Sequence, residues 1–349
     1  MNIDYLRRSC FLSLFVYLYG EPPGINRLIK TSLIQFTESE LPLEFDKSIG
    51  EQIRLFCQQN NNNNGKINKY YNELFNSVLN DPFFDSLYLE INLQNKLGGE
   101  CFIFRTGDEK YAVFRGSDDV LDIFIDLTIE TTPLMIDTIL TDKTIRVHKG
   151  FLDQMKNYNF IKQITKNIKN STSIHIIGHS LGGSCGLLQG YYLHHALKSQ
   201  DIKISIVTVG CPVIGTSTWA TAFNDIFCVG NKKRNFFRLI SNTDIIPNLH
   251  TLIIGTFPPI LRKILPKINP PKNKNDYRLK RYFNKYVYEY QHVGFETWII
   301  KLESCNVDRN LIKVSNSEYT FNKSNTFDII NLINIHMIDY QKWLTMIQI

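Results

Sequence analysis

Apolar and polar positions along the chain change rhythm near residue 100. Before it, apolar residues come in helical runs broken by polar or low-complexity stretches. The run over residues 10–19 is closed by Glu21-Pro22-Pro23-Gly24. Residues 28–56 read as helix interrupted at Pro42, Asn60 to Asn64 as an exposed asparagine loop, and residues 70–79 as a second helical pattern stopped at Asp81-Pro82. From Glu100 onward strand-type runs appear. Residues 101–105 and 111–115 flank Gly107-Asp108 and predict two strands joined by a turn. Residues 148–170 predict a helix, with Phe151, Met155, Phe160, Ile164 and Ile168 at helical spacing. Buried-type strands follow over 174–177, 202–209 and 236–240, with a helix over 184–193 between the first two. Residues 297–302 and 311–314 read as further strands, and 326–344 as a C-terminal helix. Strands alternating with helices predict an α/β fold with a mostly parallel central sheet and helices on both faces. Residues 1–99 are expected to form a mostly helical segment packed on a core domain spanning 100–349, with a basic, proline-rich insertion at 256–290.

Composition changes this picture in three places. The chain has 349 residues, 43% of them apolar, which is enough for one large core. Its net charge of +6 is mild but uneven, because Arg262, Lys263, Lys267, Lys272, Lys274, Arg278, Lys280, Arg281 and Lys285 are opposed only by Asp276. That stretch reads as a solvated loop or as a patch meeting an anionic membrane surface. No nucleic-acid module accompanies it, so nucleic acid is not expected as a partner. The seven cysteines are scattered and lack metal-ligand spacing. They read as buried thiols of a reducing compartment, which favours an intracellular, cytoplasmic and membrane-associated location over secretion. The N-terminal apolar run follows Arg7-Arg8, but it has no small-x-small cleavage site and is too short to span a bilayer.

The chemistry centres on Ile174-His175-Ile176-Ile177-Gly178-His179-Ser180-Leu181-Gly182-Gly183. A β-branched run ends in G-x-S-x-G and enters a helix. That is where such a motif lifts a serine hydroxyl above the carboxyl end of a sheet. The Leu181 N–H then lies at a helix N-terminus, where it can meet a developing oxyanion. A serine needs a base to take its proton and a carboxylate to orient that base. Of the eight histidines, five follow Ser180, and His194 and His195 are carried away along the helix that starts there. His250, His292 and His336 therefore stay open as the base. Asp244, just past a buried strand and before Pro247, is the best-placed acid.

From Glu100 to its end the chain resembles the class 3 lipases, the fungal-type triacylglycerol lipase family of α/β-hydrolases. Five ordered segments carry the resemblance: Phe114-Arg115-Gly116-Ser117, His148-Lys149-Gly150-Phe151, Gly178-His179-Ser180-Leu181-Gly182-Gly183, Asp244-Ile245-Ile246-Pro247 with Leu249, and His292-Val293-Gly294-Phe295-Glu296-Thr297-Trp298. The resemblance implies an α/β-hydrolase fold with Ser180 as nucleophile, Asp244 as acid and His336 as base. His292 then becomes a supporting residue, and Ser117 joins Leu181 in the oxyanion hole. It further implies a lid over 118–127, with Ile123 where the family often has tryptophan. Arg115 is expected to form an internal salt bridge. The implied substrate is a lipid ester, met at a membrane or lipid-droplet surface, with no metal or organic cofactor. Phospholipase A-type or acyltransferase activity, or lipid binding without turnover, are the alternatives.

Overall fold

Successive residues of a strand point to opposite faces, so a strand that is apolar at every position needs cover on both sides. The computed structural model describes residues 3–19, 43–61, 75–76, 78–95, 99–116, 131–136, 142–156, 159–229, 233–244, 246–248, 291–294, 296–300, 311–315, 336, 339–340 and 342–344. Its centre is an eight-stranded sheet ordered β1-β2-β3-β6-β7-β8-β9-β10. The strands are β1 Tyr88–Gln94, β2 Glu100–Thr106, β3 Glu109–Arg115, β6 Ser173–His179, β7 Lys203–Val209, β8 Arg234–Ser241, β9 Glu296–Ile300 and β10 Leu311–Ser315. β3, β6, β7, β8 and β9 run parallel, and antiparallel pairs close both edges. A separate ribbon pairs β4 Thr131–Pro133 with β5 Arg146–His148.

Cover comes from two directions. On one face Ile103, Ala112, Ile176 and Ile206 pack under four helices: α4 Lys149–Lys156, α5 Phe160–Ile168, α6 Leu181–Ala196 and α7 Ser217–Phe227. On the other, their strand neighbours Phe102, Val113, Ile177 and Val207 pack under α1 Ile3–Phe15, the 3-10 turn Val16–Leu18 and α2 Ile49–Asn61, with Tyr340, Trp343 and Leu344 from the C-terminal part. The α3 helix, Pro82–Asp85, is short; Asp81 caps it and accepts from Arg8 Nε and Nη2 at 2.7 Å each, tying α1 to the start of α3. The α6 helix is buried from Leu181 through Leu193, as its apolar and small residues on every side require. Among the described residues no helix is long and apolar enough to cross a membrane.

The expected α/β architecture is present, with corrections of detail. β1 precedes residue 100 and hydrogen-bonds β2, so the sheet starts earlier than the 1–99 and 100–349 division placed it. Its signal is in the sequence: Leu89, Ile91 and Leu93 alternate with Glu90, Asn92 and Gln94. The single helix expected over 148–170 is two, broken where Asn159 takes φ 57°. The α2 helix runs into the asparagine stretch as far as Asn61. α7 was not expected, although Trp219, Phe223 and Phe227 recur at helical spacing behind Thr216. The expected lid over 118–127 and the basic insertion at 256–290 lie outside the described residues.

Phe11 is wholly buried and meets Phe15 and Phe84, with ring centroids 5.5 and 4.9 Å away. Phe11→Ala is expected to lower unfolding free energy by about 3–5 kcal/mol. Urea denaturation would read this as a reduced midpoint, and an unchanged midpoint would mean that α1 contributes no core.

Candidate active site

The parallel strands all end on one edge, and the segments leaving that edge converge. Gly116 follows β3, Ser180 follows β6, Gly210 follows β7, and Asp244 lies three residues beyond β8. Ser180 sits at φ 56° and ψ −128°, a region that side-chain-bearing residues avoid at a cost of about 1–3 kcal/mol. Its N–H donates to Val209 O at 2.9 Å, and its carbonyl accepts from Gly183 N at 3.0 Å. The turn closes only because the chain crosses itself without side chains. A Cβ on Gly178 would lie 2.3 Å from Gly182 O, and one on Gly182 would lie 2.3 Å from Phe114 O. Leu181 is the first residue of α6, where backbone N–H groups lack intrahelical partners.

Asp244 is fully buried beneath this edge. His336 Nδ1 donates to its Oδ2 at 2.8 Å, the Tyr340 hydroxyl donates to the same oxygen at 2.7 Å, and Ile246 N donates to Oδ1 at 2.9 Å. Because Nδ1 carries the proton toward the carboxylate, Nε2 of a neutral His336 holds the lone pair. That Nε2 and the Ser180 hydroxyl are both buried and have no hydrogen-bond partner among the described residues. Gly210, at φ 58°, lets the imidazole approach the strand end. A Cβ there would stand 2.8 Å from His336 Cε1 and 2.9 Å from Asp244 Oδ2.

The segment bearing His336 is fastened to the end of β8 by its own side chains. Tyr340 Oη accepts from Ser241 N at 3.0 Å, and Asp339 Oδ2 accepts from Ser241 Oγ at 2.6 Å and from Thr243 Oγ1. Burial first, and the nearby Asp244 charge after it, push the Asp339 carboxyl above its ordinary range, while the two hydroxyls pull it back. Burial, and the Asp244 carboxylate beside it, hold the Tyr340 phenol far above its usual value, so it stays a donor.

The structure thus brings together Ser180, Leu181, Asp244 and His336. Ser117 lies outside the described residues, but Gly116 before it is at the serine: a Cβ on Gly116 would be 3.2 Å from Ser180 Cβ. His250 also lies outside them. His292 Nε2 donates to Pro247 O at 2.6 Å and so braces the loop after Asp244. Arg115 forms the expected internal salt bridge, with Nη1 at 3.1 Å from Glu100 Oε2. Tyr340 and Asp339 were not picked out as site residues. Their only sequence signal is position within one helical turn of His336.

His179, adjacent to Ser180, is buried and stacks beside His336 with ring centroids 4.4 Å apart. Desolvation, with the neighbouring His336 next, holds its pKa well below the ordinary 6.5. The unfolded chain therefore binds a proton below about pH 6.5 that the fold refuses. Stability from this group is full above that pH and falls as pH drops, by about 1.4 kcal/mol per unit. Asp339 acts in the opposite sense at lower pH, since its raised pKa favours the fold as acid protonates it. In urea titrations, His179→Gln should lose less stability than the wild type between about pH 6.5 and 5. Parallel pH curves for the two proteins would rule out a neutral buried imidazole.

No curated protein sequence matches the chain. The family model described as Lipase (class 3) matches residues 111–253, from within β3 to just past Asp244. Among solved structures, the nonglycosylated LIP2 lipase of Yarrowia lipolytica aligns over 95% of this chain and 92% of its own, with TM-score 0.53 and 16% identity. A triacylglycerol lipase from Penicillium expansum aligns over 66% of this chain and 75% of its own, with TM-score 0.46 and 13% identity. The first of these likenesses shows a shared α/β-hydrolase fold.

Proposed function

We propose, from the match of residues 111–253 to the class 3 lipase family model and from the geometry of the site, that the protein is a serine hydrolase of the carboxylic esters of lipids. The observation that carries this reading is the buried Asp244–His336 pair at 2.8 Å, with His336 Nε2 and the Ser180 hydroxyl both unpartnered among the described residues at one strand edge. Ser180 Oγ attacks the ester carbonyl while its proton passes to His336 Nε2. Asp244 steadies the imidazolium that forms. The Leu181 N–H and, in the expected hole, Ser117 hold the oxyanion. The tetrahedral intermediate expels the alcohol, which takes the proton from Nε2 and leaves an acyl group on Ser180. Water, deprotonated by His336, then attacks the acyl-enzyme and releases the acid.

The neutral state of His179 supports this scheme. A charged ring 4.4 Å from His336 would oppose the imidazolium, whereas a neutral one does not. The lipid substrate class rests on the family match. The basic stretch from Arg262 to Lys285 favours anionic lipid head groups as a second reading, in which the acyl chain comes from a phospholipid.

A fluorophosphonate probe should label the wild type and His292→Ala but neither Ser180→Ala nor His336→Ala. With a soluble p-nitrophenyl ester, Ser180→Ala and His336→Ala are expected to lower kcat by about 10⁶-fold, and Asp244→Ala by about 10⁴-fold. Persistent labelling of Ser180→Ala, or a folded wild type that cleaves no ester with detergent micelles present, would refute the hydrolase. Neutral emulsions compared with anionic vesicles separate the two lipid readings.

A further inference from the structure

The N-terminal segment ends in a contact that belongs to the strand edge of the site rather than to the core. Tyr17 lies in the 3-10 turn after α1 and is buried. Its hydroxyl is 3.1 Å from His179 Nδ1, and the other nitrogen of that ring, Nε2, is 3.2 Å from the main-chain oxygen of His336. A carbonyl oxygen only accepts, so His179 Nε2 carries the proton. In a neutral imidazole Nδ1 is then the lone-pair nitrogen, and Tyr17 must be its donor. The same hydroxyl faces the Gly116 backbone N–H, and a Cβ on Gly116 would lie 2.2 Å from it. One phenol oxygen therefore meets the chain leaving β3 and the elbow residue and, through the His179 ring, reaches the main chain of His336.

We propose that Tyr17 and His179 form a directed hydrogen-bond relay that positions His336 over Ser180, so that the N-terminal segment completes the active site. This rests on the hydrolase reading above, because the relay matters only if His336 has a proton to take from the serine. Burial keeps both members in the states the relay needs. The Tyr17 phenol is pushed far above its usual pKa and stays protonated, and the His179 imidazole is held neutral. The groups around the relay are Arg115, whose guanidinium lies 5.6 Å from the Tyr17 ring centre, and His336, Asp244 and Tyr340 from the C-terminal side. Each link spans nearly half of the chain, 162 residues from Tyr17 to His179 and 157 from His179 to His336.

The fold supplies its own control. Tyr5, on α1 itself, is 3.1 Å from Nδ1 of His175 on the same strand as His179, away from the serine end. Tyr5→Phe and Tyr17→Phe each remove one tyrosine–histidine bond between the N-terminal segment and β6. In the full-length protein, Tyr17→Phe is expected to lower kcat for a p-nitrophenyl ester about tenfold with KM unchanged, while Tyr5→Phe retains wild-type kcat. At position 179, Gln can still present a donor where Nε2 stood and Leu cannot, so His179→Gln should recover most of the kcat lost in His179→Leu. Equal kcat in wild type and Tyr17→Phe, equal losses in both tyrosine variants, or no difference between Gln and Leu would each overturn the relay.

A readout that needs no turnover separates this proposal from the hydrolase reading. In imidazole ¹⁵N spectra, His179 should remain a neutral Nε2–H tautomer from about pH 8 to 5 in the wild type and shift on Tyr17→Phe. An Nδ1–H tautomer, or no shift in the variant, would overturn the relay even in an active enzyme. The expected spectra in a protein that cleaves no ester would leave the bonds in place and remove their catalytic purpose, which overturns the proposal together with the hydrolase.

Discussion

A serine at positive φ between a strand and a helix is an expensive conformation, and most of the site depends on keeping it. Nothing local to Ser180 relieves the strain; its surroundings over-determine it. The 2.9 Å bond from its N–H to Val209 O fixes the turn to the neighbouring strand, and Gly178 and Gly182 pass too close to each other and to the Phe114 carbonyl to carry any Cβ. Because β3, β6 and β7 are parallel and in register, fixing this turn also fixes where Gly116 and Gly210 emerge. The serine, the start of the expected oxyanion loop and the gap that admits His336 are thus set by one backbone crossing.

The proposed acid and base, Asp244 and His336, are held by a different principle. Asp244 is sealed from water, and a buried carboxylate is costly unless its lone pairs are used. Here an imidazole, a phenol and a backbone N–H all donate to it. Tyr340 does double service, because the oxygen that donates to Asp244 also accepts from Ser241 N. With Asp339 on Ser241 and Thr243, this makes the end of β8 and the His336 segment one hydrogen-bonded unit.

Local order was legible in the sequence where it produces chemistry and obscure where chemistry depends on distant packing. Ser180 and Asp244 could be found from a strand end and the loop that follows it. His336 could not be separated from His250 and His292 by the residues alone, because nothing near a histidine records which strand end its turn will reach. The family resemblance made that choice. Tyr17 was invisible as a site residue for the same reason, since an aromatic in an apolar run reads as core, and most of Tyr17 is core. β1 is a different case: its alternation is plain in Leu89, Ile91 and Leu93, but a three-residue polar face of Glu90, Asn92 and Gln94 resembles a solvated segment until Glu100 accepts the two amides at 2.8 and 2.7 Å.

The order in which the site's parts occur along the chain has a consequence for biogenesis. Tyr17 emerges from the ribosome early, the strained serine about midway, and the imidazole and phenol that meet Asp244 only near residue 340. Pairings this distant in sequence form late and slowly. A nascent chain therefore carries the Ser180 turn without the His336 imidazole beside it for most of its remaining synthesis. On the proposed chemistry, reactivity arrives only when the segment bearing His336 docks, so a working site certifies that the Tyr17 and His336 segments have found the same sheet edge.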